Sequence, residues 1–325
     1  MNKPIVSIAV ITYNQAEFVS ETLESILNQE FNFDYEILIS DDASTDETVN
    51  ILKSFKAKHP SKINLILHKK NLGPTKNLYE LILKCEGKYI AILEGDDFWT
   101  TNNKLKQQIE FLDANKSHIA CTHRYSVVDQ NSKTISEEYY GPGKPEIGEY
   151  SIRNFENYTY YGLLGSLMFR NIFIKHPSKL DIVKDAHPFI ADITLNLLLV
   201  LNGAIFVMEN NMSAHRIIIE RNGTNYKSTI RGKSQVKNRV IFLEILEKFA
   251  WNNYKVKIKH TPRNEDLFVQ SCMYLFRYPS KHNFNNFLFV FKLIESRSAL
   301  FKYFFKRMYK IPSFLFKYLS KALKN

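Results

Sequence analysis

Through the first hundred residues, short apolar runs alternate with stretches whose apolar positions recur every three or four residues. The runs IVSIAVI (5–11), YEILIS (35–40), INLILH (63–68) and KYIAIL (88–93) have the length and β-branched content of strands. Between them, AEFVSETLESILNQ (16–29), DETVNILKSFKAKH (46–59) and PTKNLYELILKC (74–85) have helical spacing, with Leu23, Ile26 and Leu27 on one face of the first. Strand–helix alternation with short connections predicts an α/β fold, a mostly parallel doubly wound sheet flanked by helices. Ligands bind such sheets beyond the carboxyl ends of the strands. That rule gathers TYN (12–14), DDASTD (41–46) and EGDD (94–97) on one rim.

Farther along, NKLKQQIEFLDAN (103–115) predicts a helix and IACTHRYSVV (119–128) a strand. Residues 129–160, polar and containing Gly141, Pro142, Gly143 and Pro145, predict a long loop. Order resumes at GSLMFRN (165–171), then a helix through 191–202 and a strand near 204–208. From about Ser234 the chain turns to helical segments rich in Phe, Tyr and Lys. The expected division is a catalytic domain over 1–230 and a helical, basic-aromatic region over 231–325.

With 325 residues, 45% of them apolar and 14% aromatic, the chain can bury a large core, which excludes a disordered class. Cys85, Cys121 and Cys272 form no CxxC pair, so neither a disulfide framework nor a zinc site is indicated. No signal peptide is read at the start. The most apolar stretch, 193–208, is interrupted by Asn196, Asn202 and Gly203 and is short for a bilayer, so a cytoplasmic protein is expected. The net charge of +11 asks for an anionic partner. It is concentrated near the end, where residues 301–325 hold seven Lys or Arg and no Asp or Glu. Aromatics interleave with those lysines at helical spacing, as in a helix lying on an anionic membrane surface; a subdomain packing its aromatics inward is the alternative. No nucleic-acid module is recognisable, so no nucleic acid is expected as partner.

The rim residues carry the chemistry. Asn14 with Glu17, and Ser44 with Glu47, have capping-box spacing. Capping leaves Asp41 and Asp42 unexplained; a carboxylate there can accept from an amide or a ribose hydroxyl. In EGDD, Asp96 and Asp97 repel each other, which suits a hard divalent cation retaining bound phosphates, whereas a solvated turn is the plainer reading. No GxxxxGK[ST] and no GxGxxG after the first strand occurs, so a P-loop and a dinucleotide fold are unsupported.

Taken together, VSIAVITYNQAEFVSETLESILNQ, EILISDDASTDET, NLG (71–73), GKYIAILEGDDFWT with KLKQQIEFLDAN, GSLMFRN, ADITLNLLLVLNGAIF and MSAHR resemble the inverting family 2 glycosyltransferases of the GT-A fold. The resemblance covers roughly residues 4–226, with residues 231–325 as a C-terminal helical extension. It implies transfer of a sugar from a nucleotide-sugar donor, UDP-linked by family frequency, to a glycan or lipid-linked acceptor in surface polysaccharide, lipopolysaccharide or capsule biosynthesis. Thr12, Tyr13, Asn14, Asp41 and Asp42 would line the nucleoside pocket. Asp97 would bind the divalent metal, Mn²⁺ or Mg²⁺, with Asp96 on the ribose or the metal. Asp192, matching the acid at the start of a late helix, would be the general base, with Asp185 as its rival. Arg216 would clamp a phosphate, and His215 would be a further metal ligand, although related sequences often carry tyrosine there. MSAHR and the following RNGTNY resemble a flexible segment over the diphosphate. Trp99 would pack beneath the metal loop or stand near the acceptor. A peripheral place on the inner face of the cytoplasmic membrane would follow. A nucleotidyltransferase on a similar sheet and a catalytically degenerate assembly protein are the competing readings.

Overall fold

The computed structural model describes residues 3–136, 146–156, 162–218, 235–258 and 261–293. These fall into two compact units, one within Met1–Arg221 plus Lys248–Val256 and the other within Asn222–Glu247 plus Lys257–Asn325.

The first unit is built on strands β1 (Val6–Thr12), β2 (Tyr35–Asp41), β3 (Ile63–Leu67) and β4 (Tyr89–Glu94), with helices α1 (Val19–Leu27), α2 (Thr48–Lys58) and α3 (Pro74–Leu83) between them. These four strands pair in parallel in the order β3-β2-β1-β4. Every residue of β1 is buried, which marks it as the central strand, and Val6, Ile8 and Val10 share a core cluster with Val19, Leu23 and Ile26 of α1. The remaining strands are β5 (Phe98–Trp99), β6 (His118–Val128), β7 (Thr134–Ser136), β8 (Gly148–Tyr150), β9 (Met168–Arg170) and β10 (Ala204–Arg216). The sheet continues from β4 through β9, β6 and β10 to β5. Here β9 runs antiparallel to both its neighbours, β10 runs parallel to β6, and β5 pairs antiparallel with β10. Helices α4 (Lys104–Ala114), α5 (Ile152–Glu156), α6 (Asp181–Ala186) and α7 (Ala191–Val200) complete the unit.

Two expectations change. The strand expected near 204–208 runs on to Arg216, so MSAHR is strand, held between β6 and β5, rather than a flexible segment. RNGTNY lies outside the described residues. The expected long loop at 129–160 contains β7, which turns back antiparallel on β6, β8, which pairs with the distant β10, and the short helix α5.

In the second unit, α9 (Thr261–Arg277) and α10 (Lys281–Lys292) follow α8 (Val236–Tyr254), the helix through which the division between the units passes. Most of the basic tail, from residue 294 on, lies outside the described residues.

Beneath the β4 end, Trp99 is buried, and its indole N–H donates to Gly165 O at 2.9 Å. The Lys104 ammonium sits 4.0 Å from the Trp99 ring centre, fully buried and with no hydrogen-bond acceptor among the described residues. Burial pushes its pKa from the ordinary 10.5 down to about 7. Below pH 7 both folded and unfolded chains carry this proton and the cost of burying it is fully present. Above 7 only the unfolded chain holds it, so stability rises with pH up to about 10.5. Lys104→Met removes the cost and is expected to melt several degrees above the wild type at pH 6, with the gap closing as pH is raised to 9. Melting curves across that range check it; a constant gap contradicts it.

Candidate active site

The strand order β2-β1-β4 sets three polar strand ends side by side: Thr12 pairs with Asp41 and Ile11 with Glu94. Neither expected capping box forms: the N-caps of α1 and α2 are Phe18 and Glu47, without side-chain cap hydrogen bonds. The polar residues instead staple the two loops together. Asn14, in a left-handed conformation at φ 51°, donates its N–H to Ser44 Oγ at 2.8 Å and accepts from Thr45 N on Oδ1 at 2.8 Å. Asp46 accepts from Ala16 N at 3.1 Å and Thr48 N at 3.0 Å.

Asp41 is buried and accepts from Ser44 N at 2.9 Å and Ser44 Oγ at 2.5 Å. Asp42, also buried, receives Leu72 N at 2.7 Å and Gly73 N at 2.9 Å on its two oxygens. Gly73 makes this cradle at φ 87°, a backbone that side chains disfavour, and Pro74 opens α3 directly after it. Each carboxylate oxygen has a second lone pair, so both aspartates keep acceptor capacity. Thr12 Oγ1 is buried and has no hydrogen-bond partner among the described residues, while Tyr13 is exposed at the strand's end.

Gly95 lets the acidic turn lie against that strand end. A Cβ there would stand 2.9 Å from Thr12 Oγ1 and 2.5 Å from Gln15 Oε1. Thr22, on α1, donates to Gly95 O at 3.0 Å and Asp97 O at 2.8 Å, fixing the turn from below. Sequence reasoning passed over Thr22, yet a polar residue in the apolar stripe Val19–Leu23–Ile26 was its signal.

The acids themselves separate into inner and outer groups. Asp97 is 2% exposed; its Oδ1 accepts from Arg216 N at 2.9 Å, and His215 Nδ1 lies 3.1 and 3.2 Å from its two oxygens. Glu94 and Asp96 are half-buried. Burial first, then the charges of Asp97 and Asp96, raise the Glu94 carboxyl to about 8; burial and Asp97 raise Asp96 to about 6. Burial opposes the charge on His215, but the hydrogen bond and field of Asp97, with Glu94 and Asp96, outweigh it and lift the imidazole to about 9. Glu94, to which no role was given from sequence, thus belongs to the cluster. Asp192 is exposed on the first turn of α7, and its charge is felt at Glu94. Ile190, not Asp192, is the N-cap of that helix. Asp185 is exposed on α6.

Among the described residues, no three His, Cys, Asp or Glu side chains already stand at metal-binding spacing. The donor set nonetheless fits a hard divalent cation: mutually repelling carboxylates beside an imidazole whose Nδ1 is held by Asp97, leaving Nε2.

Arg216 is placed differently from its expected role as a phosphate clamp. All three of its guanidinium nitrogens donate within the protein: Nε to Asp96 O at 2.9 Å, Nη1 to Asp129 O at 3.1 Å and Ser132 Oγ at 3.0 Å, Nη2 to Glu21 at 2.5 Å. The Phe18 ring lies 4.7 Å from the guanidinium. It is a tie between β10, α1 and the turn after β6.

The comparisons bear on the family and the fold. Residues 7–176 match the model of glycosyl transferase family 2, more than half of the chain, and the protein belongs to that family. An uncharacterised protein of Mycobacterium tuberculosis is 36% identical over 131 residues, 40% of this chain and 38% of that protein. The putative teichuronic acid biosynthesis glycosyltransferase TuaG of Bacillus subtilis is 29% identical over 140 residues, 43% of this chain and 54% of that protein. The chain thus spans about half, or less, of the length of these curated relatives. In fold it is similar to S. aureus TarS 1–349 in complex with UDP-GlcNAc, with a TM-score of 0.54 and 20% identity over 88% of this chain and 90% of that one.

Arg216→Lys separates the observed tie from a phosphate clamp. A lysine cannot reproduce the planar fork, so the ligand-free variant is expected to melt well below the wild type. An unchanged melting temperature with weakened nucleotide binding would restore the clamp.

Proposed function

We propose that the protein is an inverting glycosyltransferase of surface polysaccharide biosynthesis. It takes a sugar from a nucleotide-diphosphate donor, a UDP-sugar foremost, and delivers it to a glycan acceptor carried on a lipid at the inner face of the cytoplasmic membrane. The observation that carries this reading is the convergence of Thr12, Asp41, Asp42, Glu94, Asp96 and Asp97 on one rim of a family 2 fold. TuaG, named for teichuronic acid biosynthesis, and TarS, crystallised with UDP-GlcNAc, support the substrate class.

In this reading the nucleoside lies across the ends of β1 and β2. Thr12 Oγ1 gains the partner it lacks, Asp41 and Asp42 use their remaining lone pairs on the base and ribose, and Tyr13 and Asn14 edge the pocket. Asp96 and Glu94, with His215, would hold Mn²⁺ or Mg²⁺, and Asp97 would orient His215 through its Nδ1. When bound, the cation neutralises charge on the diphosphate leaving group. Asp97 also remains able to ligate, because its oxygens, like those of Asp41 and Asp42, keep lone pairs beyond the hydrogen bonds they accept.

Asp192 takes the proton of the acceptor hydroxyl as that oxygen attacks the anomeric carbon. The carbon–oxygen bond to the diphosphate breaks on the opposite face, and the nucleoside diphosphate leaves. The N-terminal end of α7 favours a negative charge at Asp192.

Asp192→Asn is expected to leave donor affinity nearly intact while turnover falls by roughly two to four orders of magnitude, the scale of general-base catalysis. Titration of the nucleotide sugar and steady-state rates measure the two separately. A wild-type rate would move the base to another residue, with Asp185 the first to try.

A further inference from the structure

Helix α10 is built inside out. Its buried positions include Asn283 and Asn286, while Phe284, Leu288 and Phe291, spaced four and three apart along one stripe, are exposed. The asparagines satisfy the backbone around them: Asn283 Nδ2 donates to Tyr278 O at 2.7 Å, and Asn286 Oδ1 accepts from Lys237 N at 3.1 Å. On α9, Met273 and Phe276 are also exposed, Phe276 at 91%. Phe287 joins the rings on α10 to Phe268 of α9, with centroids 5.6 Å from Phe268 and 6.0 Å from Phe291. A globular helix puts its apolar stripe inward, and a contiguous outward one marks an interaction surface.

Charge indicates what that surface meets. From residue 267 to 293 the chain carries Arg277, Lys281 and Lys292 and no Asp or Glu. Residues 235–325 hold 18 Lys or Arg against five Asp or Glu, whereas residues 1–234 hold 26 against 28. The positive charge of the protein therefore belongs wholly to the region that carries the exposed aromatics. Exposed Phe, Met and Arg also suit a protein interface, so the occupant is identified by the excess of positive charge around them. Aromatic side chains edged by cations match a surface of anionic headgroups over acyl chains.

We infer that the outward stripe of α10, Phe284, Leu288 and Phe291 edged by Lys281 and Lys292, together with the exposed Phe276 and Arg277 at the end of α9, is a docking face for an anionic lipid bilayer. The inference rests on the membrane placement proposed above and adds the residues that make the contact. It does not depend on the donor chemistry.

Co-sedimentation of the full chain with vesicles of phosphatidylcholine, alone or with roughly one-third phosphatidylglycerol, tests it. The wild type is expected to bind the anionic vesicles. Replacing Phe276, Phe284 and Phe291 together by Ser should weaken that binding roughly tenfold or more, because three aromatic side chains no longer leave water. Phe276→Ser alone, at a position with almost no packing to lose, should weaken it in the same direction and guards against misfolding. Lys281→Glu with Lys292→Glu should lower binding to the anionic vesicles and leave binding to the neutral ones little changed. Triple-variant binding equal to wild type would assign the contact to residues 294–325 and overturn the inference, while the membrane placement would stand. A change in oligomeric state by light scattering, with vesicle binding unchanged, would make the face a contact between copies. No wild-type binding to either vesicle would remove the membrane placement itself.

Discussion

Three carboxylates crowd the end of a fully buried strand, and the second half of the catalytic unit answers that crowding. Glu94 ends β4, whose Ile90, Ala91, Ile92 and Leu93 are fully buried, and Asp96 and Asp97 follow it. Like charges so placed cost stability unless something positive reaches them. What reaches them comes from the far end of β10. Pairing of Ser213 with Trp99 and of Ala214 with Phe98 brings His215 and the Arg216 amide onto Asp97. The Arg216 side chain then anchors that strand end to Glu21 and to the turn after β6. Burial first, and then the residual repulsion, raise the carboxyl groups of Glu94 and Asp96, and a bound cation would relieve the repulsion.

The front half of the fold was legible because it is local. Strands buried on both faces read as apolar runs, their helices as three-four stripes, and the parallel order then fixes which loop tips meet. Thr12, Asp41, Asp42 and the acidic turn were placed on one rim by that reasoning, and the resemblance to family 2 glycosyltransferases supplied their roles. The back half was not legible. β9 and β5 are three and two residues long and exist only because β4, β6 and β10 offer them edges. Such pairing leaves no periodicity to read, and MSAHR, a strand in the structure, has too mixed a pattern to announce one.

The same limit explains the reassigned side chains. Asn14 and Ser44 carry the spacing of capping residues, but each finds its partner across thirty residues of sequence, in the other's loop. Arg216 looks like a phosphate ligand because forked donors suit phosphate; only the tertiary structure shows Asp96 O, Asp129 O and Glu21 already around it. Glu94 went unassigned because a lone glutamate at a strand end has no signature. Its significance comes from the field of Asp96, Asp97, His215 and Asp192.

The central claim is that the rim of β1, β2 and β4 binds a nucleoside diphosphate through carboxylates and a divalent cation. Thermal melting of the protein with UDP, GDP, dTDP or CMP, each with and without Mn²⁺, tests it most directly. A ligand at about a hundred times its dissociation constant stabilises the folded state by about 2.7 kcal/mol. The account predicts a clear rise in melting temperature with one nucleoside diphosphate, UDP foremost, and only when Mn²⁺ is present. Unchanged melting with all four nucleotides, metal or no metal, would contradict it.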